Sequence, residues 1–202
     1  SCKLKSVQLC CEKAYWTFIM AKANSSFSEV QIARRIKEGR GQGHGKDYIP
    51  WLTVQEVPSA GRSHRIYSHK TGRVHHLLSD LELAVFLSLE WESSVLDIRE
   101  QFPLLPSDTK QIAIDSGIKH PAIRGVDQVM STDFLVGCKD GPFEQFAIQV
   151  KPVTALQDER TLEKLELERR YWQQKQIPWF IFTDKEINPV VKENIEWLYS
   201  VN

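Results

Sequence analysis

No run of apolar residues in this 202-residue chain approaches the length of a membrane span, so a role that needs a transmembrane helix is excluded. Cysteine is scarce: Cys2, Cys10, Cys11 and Cys138 form no C-x-x-C pair and no disulfide framework, which argues against structural zinc and for free thiols in a reducing compartment. Net charge is absent as well, with 26 Lys and Arg against 26 Asp and Glu, so whole-chain charge gives no reason for strong non-specific binding to nucleic acid. There is no internal repeat or low-complexity tract, and the glycines of Gly39-Arg-Gly-Gln-Gly-His-Gly45 lack the G-x-x-x-x-G-K-[ST] order of a phosphate loop.

What is present is a soluble balance, 42% apolar and 26% charged, enough for one ordinary core with a small appendage. The charge is unevenly placed. Between Ala33 and His76 nine Lys and Arg face three acids, and five of the six histidines fall there, so this segment is net +6 and the remainder net −6. A solvated basic face explains that as well as a phosphate-binding surface does.

Before it, Ser1 to Ile19 reads as a non-essential extension, and the polar stretch after Met20 as an ordinary start. Ser26-Phe-Ser-Glu29 introduces a short amphipathic helix over Val30 to Ile36, and the glycine-rich stretch after it reads as a flexible basic loop. Pro50 to His76 alternates in places, as a strand or hairpin outside the main core. Ser79-Asp-Leu-Glu82 has the S-x-x-E form that opens a helix, here a mainly buried one to Glu90. Val95 to Phe102 alternates as a strand, closed by Pro103 and Pro106. Ser107 to Met130 reads as a long connection with one or two helical turns after Asp108. Ser131 to Val136 and Glu144 to Lys151 form a hairpin, Leu156 to Gln176 a long helix, Trp179 to Thr183 a strand, and Val190 to Tyr199 a last amphipathic helix. That order predicts an α/β fold, a mixed sheet flanked by helices.

Two motifs on the central hairpin carry chemistry. Asp133 stands inside a strand, where aspartate is disfavoured. Gln149-Val150-Lys151 puts Gln149 and Lys151 on one strand face, because side chains alternate with period two. Hydrolysis of a phosphodiester requires a positioned water and charge stabilisation, which magnesium held by one or two carboxylates supplies. In this reading Asp133 leads the ligand set, Gln149 and the Val150 carbonyl add oxygen, Lys151 orients or deprotonates the water, and Glu82 completes the site. Each residue has a plainer role too. Glu82 is the third-position acid of the capping box from Ser79, and Lys151, just before Pro152, is a strand-end lysine.

The order of elements and these positions resemble the restriction-endonuclease-like nucleases. The resemblance is closer to the TnsA-like endonuclease subunits of heteromeric cut-and-paste transposases. It spans almost all of Met20 to Asn202, through Phe27-Ser-Glu-Val-Gln-Ile-Ala-Arg-Arg35, Ser79-Asp-Leu-Glu82, Thr132-Asp-Phe134 and Ile148-Gln-Val-Lys-Pro152. It implies that Glu82 and Asp133 bind Mg²⁺, for which Mn²⁺ substitutes, that Gln149 and the Val150 carbonyl assist, and that Lys151 is catalytic. It also implies bacterial cytoplasmic DNA transposition. The chain would cut the strands at the 5′ ends of the element while a TnsB-like DDE transposase handles the 3′ ends and a TnsC-like ATPase regulates.

Gln149 stands where many restriction enzymes carry a carboxylate. The chain ends soon after Tyr199, where the family continues into a domain that contacts the ATPase, so that domain is expected to be largely missing. The expected organisation is an extension over 1–19, a basic segment over 20–77 and a restriction-endonuclease-like core over 78–202. Arg34, Arg35, Arg62, Arg65, Lys70 and Arg73 are the candidates for phosphate contacts. A non-catalytic docking subunit of the transposase, and an autonomous repair or restriction nuclease of the same fold, remain as alternatives.

Overall fold

The computed structural model describes residues 27–57 and 62–187 together with Val190, Glu193, Asn194 and Trp197. The expected extension over 1–19, three of the four cysteines and most of the expected Val190 to Tyr199 helix lie outside the described residues.

Helix α1 (Glu29–Lys37) starts where the sequence places it, with Ser28 and Gln31 closing a reciprocal capping box. The glycine-rich stretch after it is fastened rather than loose. Gly41 N–H donates to Ile49 O at 2.6 Å and Gly45 N–H to Asp97 Oδ1 at 3.2 Å, which holds this stretch against the sheet. Positive φ angles at Gly39, Gly41, Gly43 and Gly45 let the chain fold back on itself there.

Strands β1 (His64–Ser68) and β2 (Arg73–Leu77) form a separate antiparallel hairpin. It packs on α2 (Asp80–Trp91), whose buried residues Leu83, Ala84, Val85, Phe86, Leu87 and Leu89 point in nearly all directions. A helix apolar all round must be covered all round, and here the hairpin covers one side and the sheet the other.

The sheet has four strands in the order β3 (Val95–Pro103), β6 (Ser131–Cys138), β7 (Gln145–Val150) and β8 (Trp179–Phe182). The first two junctions are antiparallel and β7 pairs with β8 in parallel, reached through α4 (Glu159–Gln174), so the sheet is mixed as expected. On one face α2 meets Ile98, Phe134, Val136, Ile148 and Val150. On the other, α4 and α3 (Pro106–Ser116) bury Leu135 and Ala147 beneath Ile112, Leu167, Tyr171 and Trp172.

The segment expected to be a long connection with one or two helical turns is more ordered than that. It contains the 11-residue α3 and a small hairpin of β4 (Ala122–Ile123) and β5 (Val126–Asp127). Pro106 does not stop structure here; it begins a helix, since its missing N–H lies at a position that has no helical acceptor, and Gly117 at φ 67° ends it.

Arg73 ties the hairpin to the sheet. Its guanidinium donates to Glu100 Oε1 at 2.7 Å, to Glu100 Oε2 and to Ile98 O at 2.8 Å, and Glu100 has no solvent exposure. Burial alone would raise the Glu100 pKa, but Arg73 and His75 outweigh it and hold the carboxyl at about 2.

Candidate active site

The backbone ladder between β6 and β7 runs from the pair Gly137 and Gln145 to the pair Phe134 and Ile148. One residue beyond, side chains replace it. Asp133 N–H donates to Gln149 Oε1 at 3.2 Å, and Val150 N–H donates to Asp133 Oδ2 at 2.8 Å. On its other side β7 stays paired with β8, and Lys151 N–H donates to Phe182 O at 3.0 Å. The N–H and C=O of one strand residue point the same way, so the Val150 carbonyl also faces the gap beside Asp133. Lys151 Nζ folds back into that gap, 3.0 Å from Val150 O and 3.5 Å from Asp133 Oδ2. Asp133 and Gln149 are buried and Lys151 is partly exposed, so the lysine forms the solvent side of the cluster.

Glu82 reaches the same region by way of a residue that sequence reading passed over. Its carboxylate accepts from Leu78 N–H at 2.8 Å and from Ser79 Oγ at 3.0 Å, while Ser79 Oγ accepts from Glu82 N–H, which is the capping role. It also accepts from Gln101 Nε2 at 3.3 Å. In the register of β3 and β6, Gln101 stands opposite Asp133, between the pairs Glu100 and Phe134 and Phe102 and Thr132. Gln101 is buried and has φ 48°, a left-handed conformation that costs a non-glycine residue on the order of 1–3 kcal/mol and tends to survive where surrounding structure enforces it. Glu82 therefore caps its helix and is linked through one amide to β3, the strand paired with the one that carries Asp133.

Glu168 is the second residue missed. It projects from α4 into the interior, where its Oε1 accepts from Thr132 Oγ1 at 2.7 Å and from Trp179 Nε1 at 2.9 Å; Trp172 Nε1 in turn donates to Thr132 Oγ1 at 2.7 Å. Burial pushes its pKa up to about 8, and the nearby Asp133 charge adds to the rise against the two hydrogen bonds. Near neutral pH this carboxyl holds its proton. The signal in sequence was its position among Leu165, Tyr171 and Trp172, on a helix face that should have been apolar.

The predicted phosphate contacts divide. Arg35 is buried, its guanidinium on Trp51 O and Glu56 and its Cζ 3.9 Å from the Phe27 ring centroid, and Arg73 is held by Glu100. Both are committed to internal pairs. Arg34 is exposed beside Glu38, and Arg62 is exposed beside Asp80. Lys70 donates to Glu92 O and Val95 O, and Arg65 is exposed with no ion pair among the described residues.

The donors around the gap fit a hard divalent cation. They are oxygens only: the Asp133 carboxylate, the Val150 carbonyl and the Gln149 amide oxygen, with Glu82 tied by Gln101 to the adjoining strand β3. Among the described residues no three His, Cys, Asp or Glu side chains form a closed cage. Magnesium needs none, since it takes one or two carboxylates and keeps water. The Lys151 ammonium resting between Asp133 Oδ2 and Val150 O already marks the gap as a place where positive charge is favoured.

A family model described as TnsA-like endonuclease N terminal matches residues 92–184, which include Asp133, Gln149, Val150 and Lys151 and leave out Glu82. The chain is 97% identical over 182 residues to the Transposon Tn7 transposition protein TnsA of Escherichia coli, an alignment that covers 90% of this chain and 67% of that protein. It thus spans about two thirds of that relative.

Proposed function

Because the chain belongs to the TnsA family of transposition endonucleases, we propose that it hydrolyses one strand of duplex DNA at each 5′ end of a transposon, through the gap between Asp133 and Lys151. A TnsB-like DDE transposase subunit cuts and joins the 3′ ends, and the two work as one assembly on transposon-end DNA. The observation that carries this reading is the replacement of the ladder beyond Phe134 and Ile148 by Asp133, Gln149 and Lys151. A partly exposed lysine paired with a buried aspartate at an opened strand end is hard to account for as packing alone.

Asp133, the Val150 carbonyl and Gln149, with Glu82 behind them, would hold Mg²⁺ or Mn²⁺. When bound, such an ion polarises the phosphate and makes water a better nucleophile. The residues do the rest. Lys151, once released from Val150 O, donates its N–H bonds to the attacking water or to a non-bridging phosphate oxygen, and the backbone of β7, fixed to β8 by Lys151 N–H, keeps its origin rigid. The water oxygen bonds to phosphorus as the water gives up a proton to solvent, the P–O ester bond to the sugar breaks, and the departing sugar oxygen takes a proton from solvent water. Glu168, held neutral, adds no second negative charge beside Asp133 where the DNA phosphate must approach.

The test is end cleavage by the reconstituted assembly carrying Asp133→Ala or Lys151→Ala. Both variants are expected to lose 5′-end cleavage by at least ~10²-fold, the scale of a lost acid–base or electrostatic group, while 3′-end cleavage persists. Normal 5′ cleavage by either variant overturns the assignment.

A further inference from the structure

The β1–β2 hairpin combines three features that neither the core nor the gap requires. Residues 62–77 contain four Lys and Arg and four His and no acid. Part of that charge is used internally: Arg73 goes to Glu100, Lys70 to main-chain carbonyls, and Arg62 and His64 to Asp80 at 3.4 and 2.7 Å, which neutralises the carboxylate at the hairpin's base. Arg65 is left over.

The pairing fixes which face it occupies. Arg65 lies opposite His76 and Tyr67 opposite Val74, while Ile66 and His75 form the intervening pair on the α2 side, where the His75 ring is 4.7 Å from that of Phe86. The outer face therefore presents Arg65, Tyr67 and Val74, with His69 edge-on to Tyr67 at 5.3 Å. Tyr67 and Val74 are 52% and 45% exposed, an aromatic and an aliphatic side chain left open next to the exposed Arg65 guanidinium.

The hairpin is also aimed. Its base meets the candidate site, since Leu78 N–H, just after β2, donates to Glu82. Its turn lies at the far end of α2, where Ser68 Oγ and His69 N–H donate to the Glu90 carboxylate at 2.8 and 3.0 Å. From Glu82 to Glu90 the helix advances about 12 Å, at 1.5 Å per residue. At 3.4 Å per step of a DNA strand, that is about three to four base steps.

We propose that this outer face, with Arg65, Tyr67, His69 and Val74, is the track on which duplex DNA lies as it enters the gap between Asp133 and Lys151. The proposal rests on the endonuclease reading above and adds the surface and the direction of approach. A twisted two-stranded ribbon has the width to enter a major groove. Arg65 then meets a phosphate, and Tyr67 and Val74 cover the apolar edge of the groove. The ties to Glu90 and Glu100 hold the ribbon in shape before DNA arrives, so little order is lost on binding.

The experiment places a photoreactive benzoylphenylalanine at Tyr67 or, on β8, at Phe180, in a chain that also carries Asp133→Ala. Each is assembled with its transposase partner on end-labelled transposon-end duplex. No cleavage is needed for the readout. The Tyr67 probe is expected to cross-link to DNA within about four nucleotides of the 5′ cleavage position, and the Phe180 probe is not. Cross-linking of the Tyr67 probe to the partner protein alone, or to nothing in an assembly that still protects the end, overturns the proposal. In the cleavage-competent chain, Arg65→Ala is expected to weaken end binding and to reduce the slope of log affinity against log salt by about 1. An unchanged slope also overturns the track while leaving the nuclease reading standing, since that reading falls only with normal cleavage by Asp133→Ala or Lys151→Ala.

Discussion

Replacing Glu168 by glutamine keeps the shape of the side chain and removes its proton, so the pair of proteins isolates one titration. In the folded chain the carboxyl titrates at about 8, against about 4.5 for an ordinary glutamate. Between those values the unfolded chain has released the proton and the folded chain still holds it. Folding stability must then fall as pH rises, by ~1.4 kcal/mol per pH unit, and level off above pH 8. The full span amounts to at most ~5 kcal/mol, a large part of the 5–15 kcal/mol that stabilises an ordinary domain. Glu168→Gln lacks this loss, and its amide oxygen still accepts from Thr132 Oγ1 and Trp179 Nε1. The assay is urea unfolding of both proteins in EDTA at pH 5, 6, 7 and 8. The other titrating groups are common to the two and cancel in the difference. The variant is expected to gain on the parent with each unit of pH, with the gain saturating near pH 8. A difference that stays constant from pH 5 to 8 would mean that Glu168 is ionised in the folded protein, and the reason given for its neutrality beside Asp133 would be wrong.

Two further substitutions probe the frame around the site. Arg73→Ala leaves Glu100 buried without its guanidinium partner and is expected to cost ~3–5 kcal/mol in urea unfolding; a loss below 1 kcal/mol would show that the hairpin is not anchored through this pair. Gly41→Ala would bring a Cβ within 2.1 Å of Pro103 Cγ at φ +80°, whereas Gly39→Ala, at φ +74°, meets nothing within 4 Å. Both incur the left-handed penalty of ~1–2 kcal/mol, and only the first should add a steric loss, read as a clearly larger fall in melting temperature.

The chemistry-bearing hairpin was legible because its signals are local. An aspartate inside a β-patterned run, a polar-x-Lys before a proline and a turn between them are all set by period two and turn chemistry, and β6 and β7 form on those residues. Glu82 was legible through its capping motif, and Ser79 does cap α2. The phosphate candidates were harder, because a count of basic residues cannot say which cations the fold takes inside. Arg35 and Arg73 look like Arg34 and Arg65 in sequence, yet the partners that bury them, Glu56 and Glu100, are 21 and 27 residues away. Helix α3 was underestimated because Pro106 was read as an end to structure when it sits at a helix start.

The roles of Gln101 and Glu168 were hidden for a deeper reason, although the apolar neighbours of Glu168 mark it as out of place. One matters through a backbone angle and the other through a proton, and neither property belongs to a residue type or a spacing. Both exist only after β3, β6 and α4 have been packed together. Their placement gives the two sides of the gap different electrostatics. The Glu82 side delivers a carboxylate through an amide, the Glu168 side a neutral acid, and the partly exposed Lys151 stands between them on the solvent side. A phosphodiester arriving along the hairpin would meet the Lys151 side chain first, with Asp133 behind it and no added charge from Glu168. That order allows an anionic substrate to approach an acidic site, and it depends on Glu168 remaining protonated.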